Sequence, residues 1–399
     1  VNIDSQQLST KGEYGYAVTD LASGLPADTE QRLRDHAGIV DDDAGEHRGV
    51  PADLLGLVLG IIATATSFTR GSTEQFQMVE QHEWIPQLGV SYSLGVDGIS
   101  LALILMALVL VPVCILAAWD DVPEGGAWHK GYFALLLSLL PFMIGVFSAI
   151  DVFLFYVFFE AMLIPVYFLI GCFGGQNRQR AALKFLLYSL AGGLIMLIGV
   201  IAVYLHSAKN GTPSFLIDSV AANLHVSTSA GHWIFLTFFI AFAIKAPLVP
   251  VHTWLPDTAE QATPGTSVLL IGILDKIGTF GMITLVLPIF PEASRWAAPV
   301  ILVLAVVSII YGGLAAIAQD NLYRLISYTS ISHFGFMVLG IFIGSRLAAT
   351  GAMVYMVAHG LSIAGLYLVT GFLARRTGTV RISELGGMAR VLPLVAGTW

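Results

Sequence analysis

The sequence predicts an all-α fold, a polytopic transmembrane helical bundle, from its composition and from recurring apolar runs. Of 399 residues, 56% are hydrophobic and 12% are charged, and the mean hydropathy is +0.78. Soluble domains carry about 25% charged residues, so this share indicates a chain immersed in lipid. Apolar runs of about 20 residues, the length of a membrane-spanning helix, recur from Pro51 onward. The runs do not alternate apolar and polar residues as barrel strands do, so helices are the expected spans.

The first 50 residues differ in character from the rest. They are polar and rich in Asp and Gly, and they contain ten acidic side chains against four basic ones. We predict a solvated or weakly ordered acidic extension over residues 1–50 and a transmembrane domain over residues 51–399. Because this N-terminus is long and polar, no cleavable signal peptide is expected.

Ten complete spans and the start of an eleventh are predicted within residues 51–399. The ten are 51–69, 98–119, 131–149, 151–173, 182–206, 232–250, 265–288, 297–318, 322–344 and 350–373, and the eleventh begins near Leu392. Basic side chains cluster after the fourth span, at the start of the ninth and after the tenth. All three clusters fall on one side by this count, which predicts that this side and the N-terminus are cytoplasmic.

The residue pattern argues against nucleic-acid binding, a disulfide framework and a metal site. No basic, aromatic-rich patch is present, so nucleic acid is not an expected partner. Cys114 and Cys172 lie in separate apolar segments without CxxC spacing, so neither a disulfide framework nor a metal site is expected. The lipid bilayer is the partner that the composition requires.

Five ionisable side chains fall within predicted spans. They are Glu160, Lys245, Lys276, His333 and His359. A charge at the bilayer centre costs about 2.5–3.5 kcal/mol on insertion scales. The five groups are therefore expected to face one another or water rather than lipid.

Lys245 is followed by two prolines, Pro247 and Pro250. Each removes a backbone donor and clashes with the preceding turn, so the helix should break there. Broken helices at membrane depth line protein or water cavities, and in transporters they mark ion sites. His252 could continue a polar path from Lys245 toward Asp257. The pattern predicts an ion or proton pathway without specifying the ion.

Structural roles for the same residues remain open at this point. A histidine in a membrane span can hydrogen-bond a neighbouring helix without carrying protons, and Ser332 and Tyr355 are close enough in sequence to take part. Glu160 and Lys245 could form a static ion pair, although apolar packing would join two helices without the desolvation cost. Lys276 follows Asp275 directly, but adjacent helical residues point in different directions, so a local pair is doubtful.

Several stretches resemble the antiporter-like subunit M of bacterial NADH–quinone oxidoreductase (respiratory complex I), whose mitochondrial counterpart is chain 4. The resemblance covers about residues 70–399 and is carried by LGVDGISL (94–101), FYVFFEAMLIPVYFLIGCFGG (155–175), RQRAALKFLLYSLAGGLIMLIG (178–199), KAPLVPVHTWLPD (245–257), NLYRLISYTSISHFGFMVLGIF (321–342) and YMVAHGLS (355–362). The glutamate segment together with the lysine-proline segment is specific to the antiporter-like superfamily.

The resemblance implies an antiporter-like fold with inverted repeats and a Pro-broken helix, in the membrane arm of a large complex in the bacterial inner membrane. It implies that protons are translocated by the residues at Glu160, Lys245, Lys276, His252, His333 and His359. It also implies no catalytic chemistry, metal or cofactor in this chain alone. FMN, iron–sulfur clusters and quinone are expected in partner subunits of the membrane and peripheral arms, among which neighbouring antiporter-like subunits are the closest partners.

The sequence departs from the family pattern at four places. The family's first transmembrane helix is missing, with the polar residues 1–50 standing before the segment that resembles the second, and the chain stops at Trp399, before the family's second broken helix. This suggests a domain truncated at its C-terminus. After WLPD, Thr258-Ala259 stands where the family has Ala-His, and Asp275 stands where leucine is usual. These departures affect the expected route by which protons enter from the cytoplasm more than they affect the pair Glu160 and Lys245.

Three functional hypotheses follow. The first is a proton-translocating subunit of NADH–quinone oxidoreductase, driven by electron transfer in partner chains. The second is a subunit of a multi-subunit Na⁺/H⁺ antiporter, which shares the glutamate and lysine-proline segments. The third is a membrane scaffold whose buried charges only join helices.

Overall fold

The computed structural model describes residues 3–11, 14–21, 49–69, 72, 74–119, 121, 127–209, 213–391, 395 and 397. The chain divides into two compact units, Val1–Ala52 and Asp53–Trp399. In the first unit, strands β1 (Ile3–Lys11) and β2 (Tyr14–Leu21) pair as an antiparallel hairpin. This hairpin was not predicted from the sequence. The prediction of a weakly ordered extension also concerns the other residues of 1–48, which lie outside the described part of the chain.

The second unit is a helical bundle with one further hairpin. Its elements, beginning with a helix whose first residues precede the unit, are α1 (Gly49–Ser67), β3 (Gln77–Ile85), β4 (Val90–Val96), α2 (Gly98–Ala117), α3 (Ala127–Ser148), α4 (Val152–Ala161), α5 (Leu163–Phe173), α6 (Arg178–Lys209), α7 (Ile217–Asn223), α8 (Thr228–Lys245), α9 (Trp254–Gln261), α10 (Pro264–Leu269), α11 (Lys276–Gly281), α12 (Leu287–Ile289), α13 (Pro291–Ile317), α14 (Leu322–Phe342), α15 (Arg346–Thr377) and α16 (Met388–Val391). Two π-helical turns, Leu270–Leu274 and Met282–Val286, flank α11.

Nine of the ten complete predicted spans are present. Within the described residues, nine helical stretches between Gly98 and Thr377 are long and apolar enough to cross a membrane. The first predicted span, 51–69, overlaps the helix α1, which is not among those nine. The predicted eleventh span begins where residues 392–394 lie outside the described part of the chain. The fold is therefore that of a multi-pass membrane protein.

The span Pro264–Ile289 forms the centre of the bundle. Of its most apolar window, 89% is buried, against 28% for the neighbouring span Pro291–Ile317. Because the central span contacts protein rather than lipid on nearly all sides, a charged group on it can be held by protein side chains. Lys276 lies on this span.

Asparagine and aspartate side chains cap the starts of three spans. Asp97 accepts hydrogen bonds from the second and third amides of α2, and Asn321 does the same for α14. Asp151 caps α4 in this way and also accepts bonds of 3.0 Å from the Ser91 amide and hydroxyl on β4. Such caps satisfy amides that have no partner within the helix. The Asp151 contacts bond the start of α4 to the hairpin.

The β3–β4 hairpin was not predicted from the sequence. Its strands pair antiparallel and are joined by Pro86–Leu88 and Gly89. Gly89 has φ of 69°, a left-handed conformation that favours glycine, and a Cβ there would collide with the Pro213 carbonyl. The hairpin therefore depends on a distant segment that a local pattern does not reveal.

Helices α13 and α14 pack with their backbones in close approach at Gly312. A Cβ at Gly312 would lie 2.7 Å from the Ser332 amide nitrogen and 2.9 Å from the Tyr328 carbonyl oxygen. We expect Gly312→Ala to destabilise the bundle by about 1–3 kcal/mol, since backbone atoms cannot move aside as a flexible side chain can. The measurement is the thermal unfolding midpoint of the purified protein in detergent.

The adjacent glycine provides the matched control. A Cβ at Gly313 meets nothing within 4 Å among the described residues, and alanine favours a helix over glycine by about 1 kcal/mol. Gly313→Ala should leave the midpoint unchanged or raise it slightly. Equal midpoints for the two variants would show that the approach of α13 and α14 does not limit stability.

Candidate functional site

Lys245 is the last residue of α8, and the chain leaves the helix directly after it. The helix ends at Lys245, and residues 246–253 run as irregular turns before α9 begins at Trp254. The predicted proline break is therefore present, although the predicted span 232–250 continued past it. Pro247 lacks the amide that would continue the helix. The Lys245 side chain is 1% exposed and lies at the negative end of the helix dipole, where a cation is favoured.

The carbonyl groups at the end of α8 are bonded within the protein. The Phe242 carbonyl accepts from the Ala246 amide at 2.7 Å, and the Ala243 carbonyl accepts from the Leu248 amide at 3.0 Å. The Trp254 indole Nε1 donates to the Ile244 carbonyl at 2.9 Å. The break is thus a defined turn that the Trp254 indole stabilises. The Phe242, Ala243 and Ile244 carbonyls all accept hydrogen bonds from the protein.

Glu160 lies in the last turn of α4, and its span is interrupted directly after it. α4 ends at Ala161 and α5 begins at Leu163. Pro165 has no amide to bond the Ala161 carbonyl four residues back, which accounts for the interruption. The Glu160 side chain is half-buried, and its Oε1 atom is buried with no hydrogen-bond partner among the described residues.

Gly193 of α6 leaves the space that the Glu160 carboxylate occupies. A Cβ at Gly193 would collide with Glu160 Oε1 and would lie 2.8 Å from Oε2. The carboxylate therefore rests against the backbone of α6. The sequence reading did not single out Gly193, although it stands in the quoted segment 178–199.

Glu160 and Lys245 do not form a direct ion pair. Among the described residues, neither Lys245 Nζ nor Glu160 Oε1 has a hydrogen-bond partner. Instead, Nζ lies 5.7 Å from the ring centroid of Phe159 and 5.5 Å from that of Phe185, where the ring faces attract a cation. The static ion pair considered from the sequence is therefore wrong as a contact. Two charges inside the bundle need no direct contact to interact, because the interior screens them less than water does.

Lys276 is fully buried at the start of α11 on the central span. Its Nζ donates to the Ile271 carbonyl at 2.7 Å and lies 2.7 Å from His359 Nδ1 on α15. Ile271 belongs to the π-helical turn that precedes α11. Single π turns in helices frequently occur at functional sites. The turn thus supplies an acceptor for a lysine held inside the bundle.

His333 and His359 extend this cluster toward α14 and α15. Their ring centroids are 5.1 Å apart, and Tyr355 stacks on His333 at 5.6 Å. His359 is 2% exposed. Because it contacts Lys276 Nζ, it is the ionisable side chain next to that lysine in the cluster. His359 joins α15 to the central span through its contact with Lys276. His333 contacts α15 through ring packing alone, and its Nδ1 has no hydrogen-bond partner among the described residues.

His252 lies in the irregular segment after Lys245 and is 4% exposed. Its ring packs edge-on against Tyr311 of α13, with centroids 4.9 Å apart. No hydrogen bond joins His252 to Asp257 among the described residues. The predicted path from His252 to Asp257 therefore has no direct contact to carry it.

Asp257 instead belongs to a charged network at the same end of the bundle as the start of α14. It pairs with Lys184 at 2.6 Å and with Arg324 at 2.8 Å, and Arg324 also pairs with Glu260 at 2.9 Å. Together with Asn177, Arg180, Ala181 and Gln261, the residues Lys184, Asp257 and Glu260 line a cavity of about 410 Å³. Lys184 and Arg324 come from the first and second of the three basic clusters that the sequence placed on one side.

The pKa of Asp257 indicates a fixed charge. Burial acts to raise the pKa, but hydrogen bonds from Lys184 and Arg324 outweigh it and hold the pKa below its ordinary value. The stabilisation from such a carboxylate is present above its unfolded-state pKa, about 3.9, and is lost as pH falls through its folded-state pKa. Asp257 is therefore ionised at neutral pH and is suited to holding α6, α9 and α14 together.

Asp275 is the ionisable residue that the sequence reading noted but did not assign to the site. It is fully buried on the central span between the π turn and Lys276. As expected, it does not bond its neighbour Lys276, whose hydrogen bonds go to Ile271 and His359. An acidic residue within an apolar run was the signal that could have placed it in the site.

The described residues contain no group of three His, Cys, Asp or Glu side chains arranged to hold a metal ion. Cys114 is buried and Cys172 is half-buried, and neither is in a disulfide. The ionisable side chains of the site are groups that can bind and release protons.

The fold and the site define a multi-pass membrane protein of the antiporter-like class, with ionisable residues beside interruptions in its spans. Residues 149–399 match the family described as NADH:quinone oxidoreductase/Mrp antiporter, TM. The chain belongs to this family. All six predicted site residues lie within the matched stretch.

Individual relatives agree with this assignment. The chain is 44% identical over 381 residues to NADH-quinone oxidoreductase subunit M of Mycobacterium tuberculosis (strain CDC 1551 / Oshkosh), covering 86% of this chain and 69% of the relative. Its structure is similar to a chain of respiratory complex I from Thermus thermophilus with bound NADH, at a TM-score of 0.79 and 33% identity, over 88% of this chain and 71% of that one. A chain of the Mrp complex from Dietzia sp. DQ12-45-1b gives 0.73 at 23% identity, over 88% of this chain and 38% of that one, which shows a shared fold alone.

Proposed function

We propose that this chain is the proton-translocating membrane-arm subunit of an NADH–quinone oxidoreductase. It moves protons across the membrane while partner subunits transfer electrons from NADH to quinone. FMN, iron–sulfur clusters and the quinone site belong to those partners, and this chain performs no redox chemistry. Its neighbours in the membrane arm are other antiporter-like subunits.

The observation that carries the proposal is a set of ionisable groups inside the bundle, Glu160, Lys245, Lys276 and His359, which we call the row. Glu160 and Lys245 lie beside interrupted helices, and Lys276 contacts His359 at 2.7 Å on the central span. Ionisable groups at this depth are energetically costly, and where they occur they mark ion or proton pathways. Apolar residues would join the same helices without that cost.

Proton transfer along the row requires groups that can exchange protons without leaving their helices. A lysine held in a dry interior can lose its proton because burial disfavours the charged form, and a nearby carboxylate favours that form again. A change in the separation of Glu160 and Lys245 therefore loads or releases a proton on Lys245. Lys276 and His359 are positioned to pass protons toward α14 and α15.

A second candidate function is a subunit of a multi-subunit Na⁺/H⁺ antiporter, favoured by the fold shared with the Mrp complex. The identity to subunit M relatives is higher and extends over most of this chain, which favours the first candidate. The two differ in what drives transport. The first uses NADH oxidation, and the second uses an ion gradient.

The test is to purify the native complex through a tag on this chain, identify its partners, and reconstitute it in vesicles. We expect flavin- and iron–sulfur-bearing chains to co-purify, and NADH with quinone to drive proton uptake that persists in sodium-free buffer. A pH-driven sodium flux without NADH dependence would establish the antiporter instead. Assembly with redox subunits but no proton uptake would leave only the scaffold role.

A further inference from the structure

Asp275 is a buried carboxylate that the proposed path has not used. Its exposure is 0%, and neither Oδ1 nor Oδ2 has a hydrogen-bond partner among the described residues. An isolated carboxylate in such an interior is unfavourable unless it is neutralised by a proton or paired with a cation. Its surroundings therefore determine what it does.

The backbone places Asp275 against the end of α8. Gly278, one turn further along, would bring a Cβ to 2.6 Å from both the Ala246 amide nitrogen and the Phe242 carbonyl oxygen. Asp275 has helical backbone angles, and residues three apart on a helix share a face. The carboxylate therefore lies on the face of the central span that meets the Lys245 end of α8.

The charges near Asp275 agree with this placement. Lys245 and Lys276 are both near enough for their charges to act on the Asp275 carboxylate. Lys276 is its neighbour in the chain, and Lys245 ends the helix that its face meets.

The π turn fixes Asp275 in this position. The Asp275 amide bonds the Leu270 carbonyl at 3.0 Å, five residues back, and the Ile271 carbonyl accepts from Lys276 Nζ. The same turn therefore orients both the carboxylate and the ammonium that follows it. Neighbouring residues on one helix thereby face different partners, α8 for Asp275 and α15 for Lys276.

We propose that Asp275 is a proton-relay residue that carries the proton between Lys245 and Lys276. The Lys245 ammonium gives a proton to the Asp275 carboxylate, directly or through one water, leaving a neutral amine and a carboxylic acid. The acid then gives its proton to the neutral amine of Lys276, restoring the carboxylate and forming an ammonium. No electron moves, and the proton count is unchanged.

This inference rests on the proposed proton-translocating function and adds a residue to it. A fixed counter-ion is the competing role, since a permanently charged carboxylate between two lysines would also stabilise them. The two roles differ in one observable. A relay carboxylate is protonated at some stage of turnover, whereas a counter-ion never is.

The test uses the complete complex in vesicles with the variants Asp275→Asn, Asp275→Glu and Thr279→Val. Asparagine matches aspartate in size but cannot carry a proton, so NADH-driven proton uptake should fall at least fivefold. Glutamate should restore at least half of it. Thr279→Val, on the same helix, removes a buried hydroxyl that donates to the Lys276 carbonyl, and should leave uptake near normal. NADH oxidation by a soluble acceptor should be unchanged in all three.

Infrared difference spectra of the complex during NADH turnover separate the two roles. A relay gives the C=O stretch of a protonated carboxyl that is missing in Asp275→Asn, and the lack of such a band would overturn the proposal. Normal uptake by Asp275→Asn would also overturn it. If Lys245→Ala loses uptake in that same assay, the proposed function stands and only the relay fails; if both variants pump normally, the proposed function fails as well.

Discussion

Replacing Lys245 by alanine is expected to reduce NADH-driven proton uptake at least tenfold. The ammonium is the charge held at the end of α8, over the rings of Phe159 and Phe185, and alanine offers nothing that binds a proton. Glu160→Gln keeps the size of the side chain but removes the charge that acts on Lys245, and should have a similar effect. The measurement is proton uptake per NADH oxidised by the purified complex in vesicles.

Lys209→Ala is the control for loss of a lysine. Lys209 is exposed at the end of α6, away from the row of buried groups, and its replacement should leave uptake unchanged. Assembly, judged by the chains that co-purify, should be intact in all variants. Normal uptake in both Lys245→Ala and Glu160→Gln would reject the transport roles and leave the scaffold hypothesis.

Gly193→Ala is expected to lower proton uptake several-fold although it replaces no ionisable residue. Its Cβ would enter the space of the Glu160 carboxylate, so the carboxylate must rotate away from α6. A shift in the distance between two charges changes their interaction in inverse proportion, and the loading of Lys245 depends on that interaction. Uptake per NADH is again the measurement, with complex assembly as the check on folding.

The adjacent residue supplies a control of the same chemistry. A Cβ at Gly192 would lie 3.2 Å from Ile244 Cδ1, the end of a flexible side chain that can move aside. Gly192→Ala should therefore pump close to normally. If the two variants pumped equally, the position of the Glu160 carboxylate against α6 would not matter for transport.

Four of the ionisable groups inside the bundle lie beside a local departure from regular helix. Glu160 precedes the interruption at Met162, Lys245 precedes the irregular segment 246–253, and Asp275 and Lys276 follow a π turn. Such departures at membrane depth are stable only when protein or water satisfies the backbone. Here the Trp254 indole and the Lys276 ammonium bond the Ile244 and Ile271 carbonyls. The lysine is thus both a candidate proton carrier and part of the packing.

The charged network around Asp257 has a different character. Its members are partly exposed and directly paired. In contrast, the buried groups Lys245 Nζ and Asp275 have no hydrogen-bond partner within the part of the chain that the structure describes. A carboxylate held ionised by two cations does not take up protons at neutral pH. The network therefore holds the ends of helices in place, and we propose that protons are exchanged at the ionisable groups inside the bundle.

The amino-acid order alone was sufficient for the spans, for the break after Lys245 and for the identities of the buried ionisable groups. Apolar length and the missing amide of proline are local properties, so they can be read without knowing the packing. The resemblance in segments 155–175 and 245–257 also correctly indicated the family.

Packing decided the rest. The Lys276–His359 contact joins residues 83 positions apart, and the absence of direct pairing between Glu160 and Lys245 depends on how α4, α6 and α8 meet. The β3–β4 hairpin and the two π turns have no strong local signal. The direction of Asp275 follows from the close approach of Gly278 to α8. The contacts between buried charges depend on side chains that distant segments bring together. The hydrophobic pattern along one helix does not show which face of another helix it will contact.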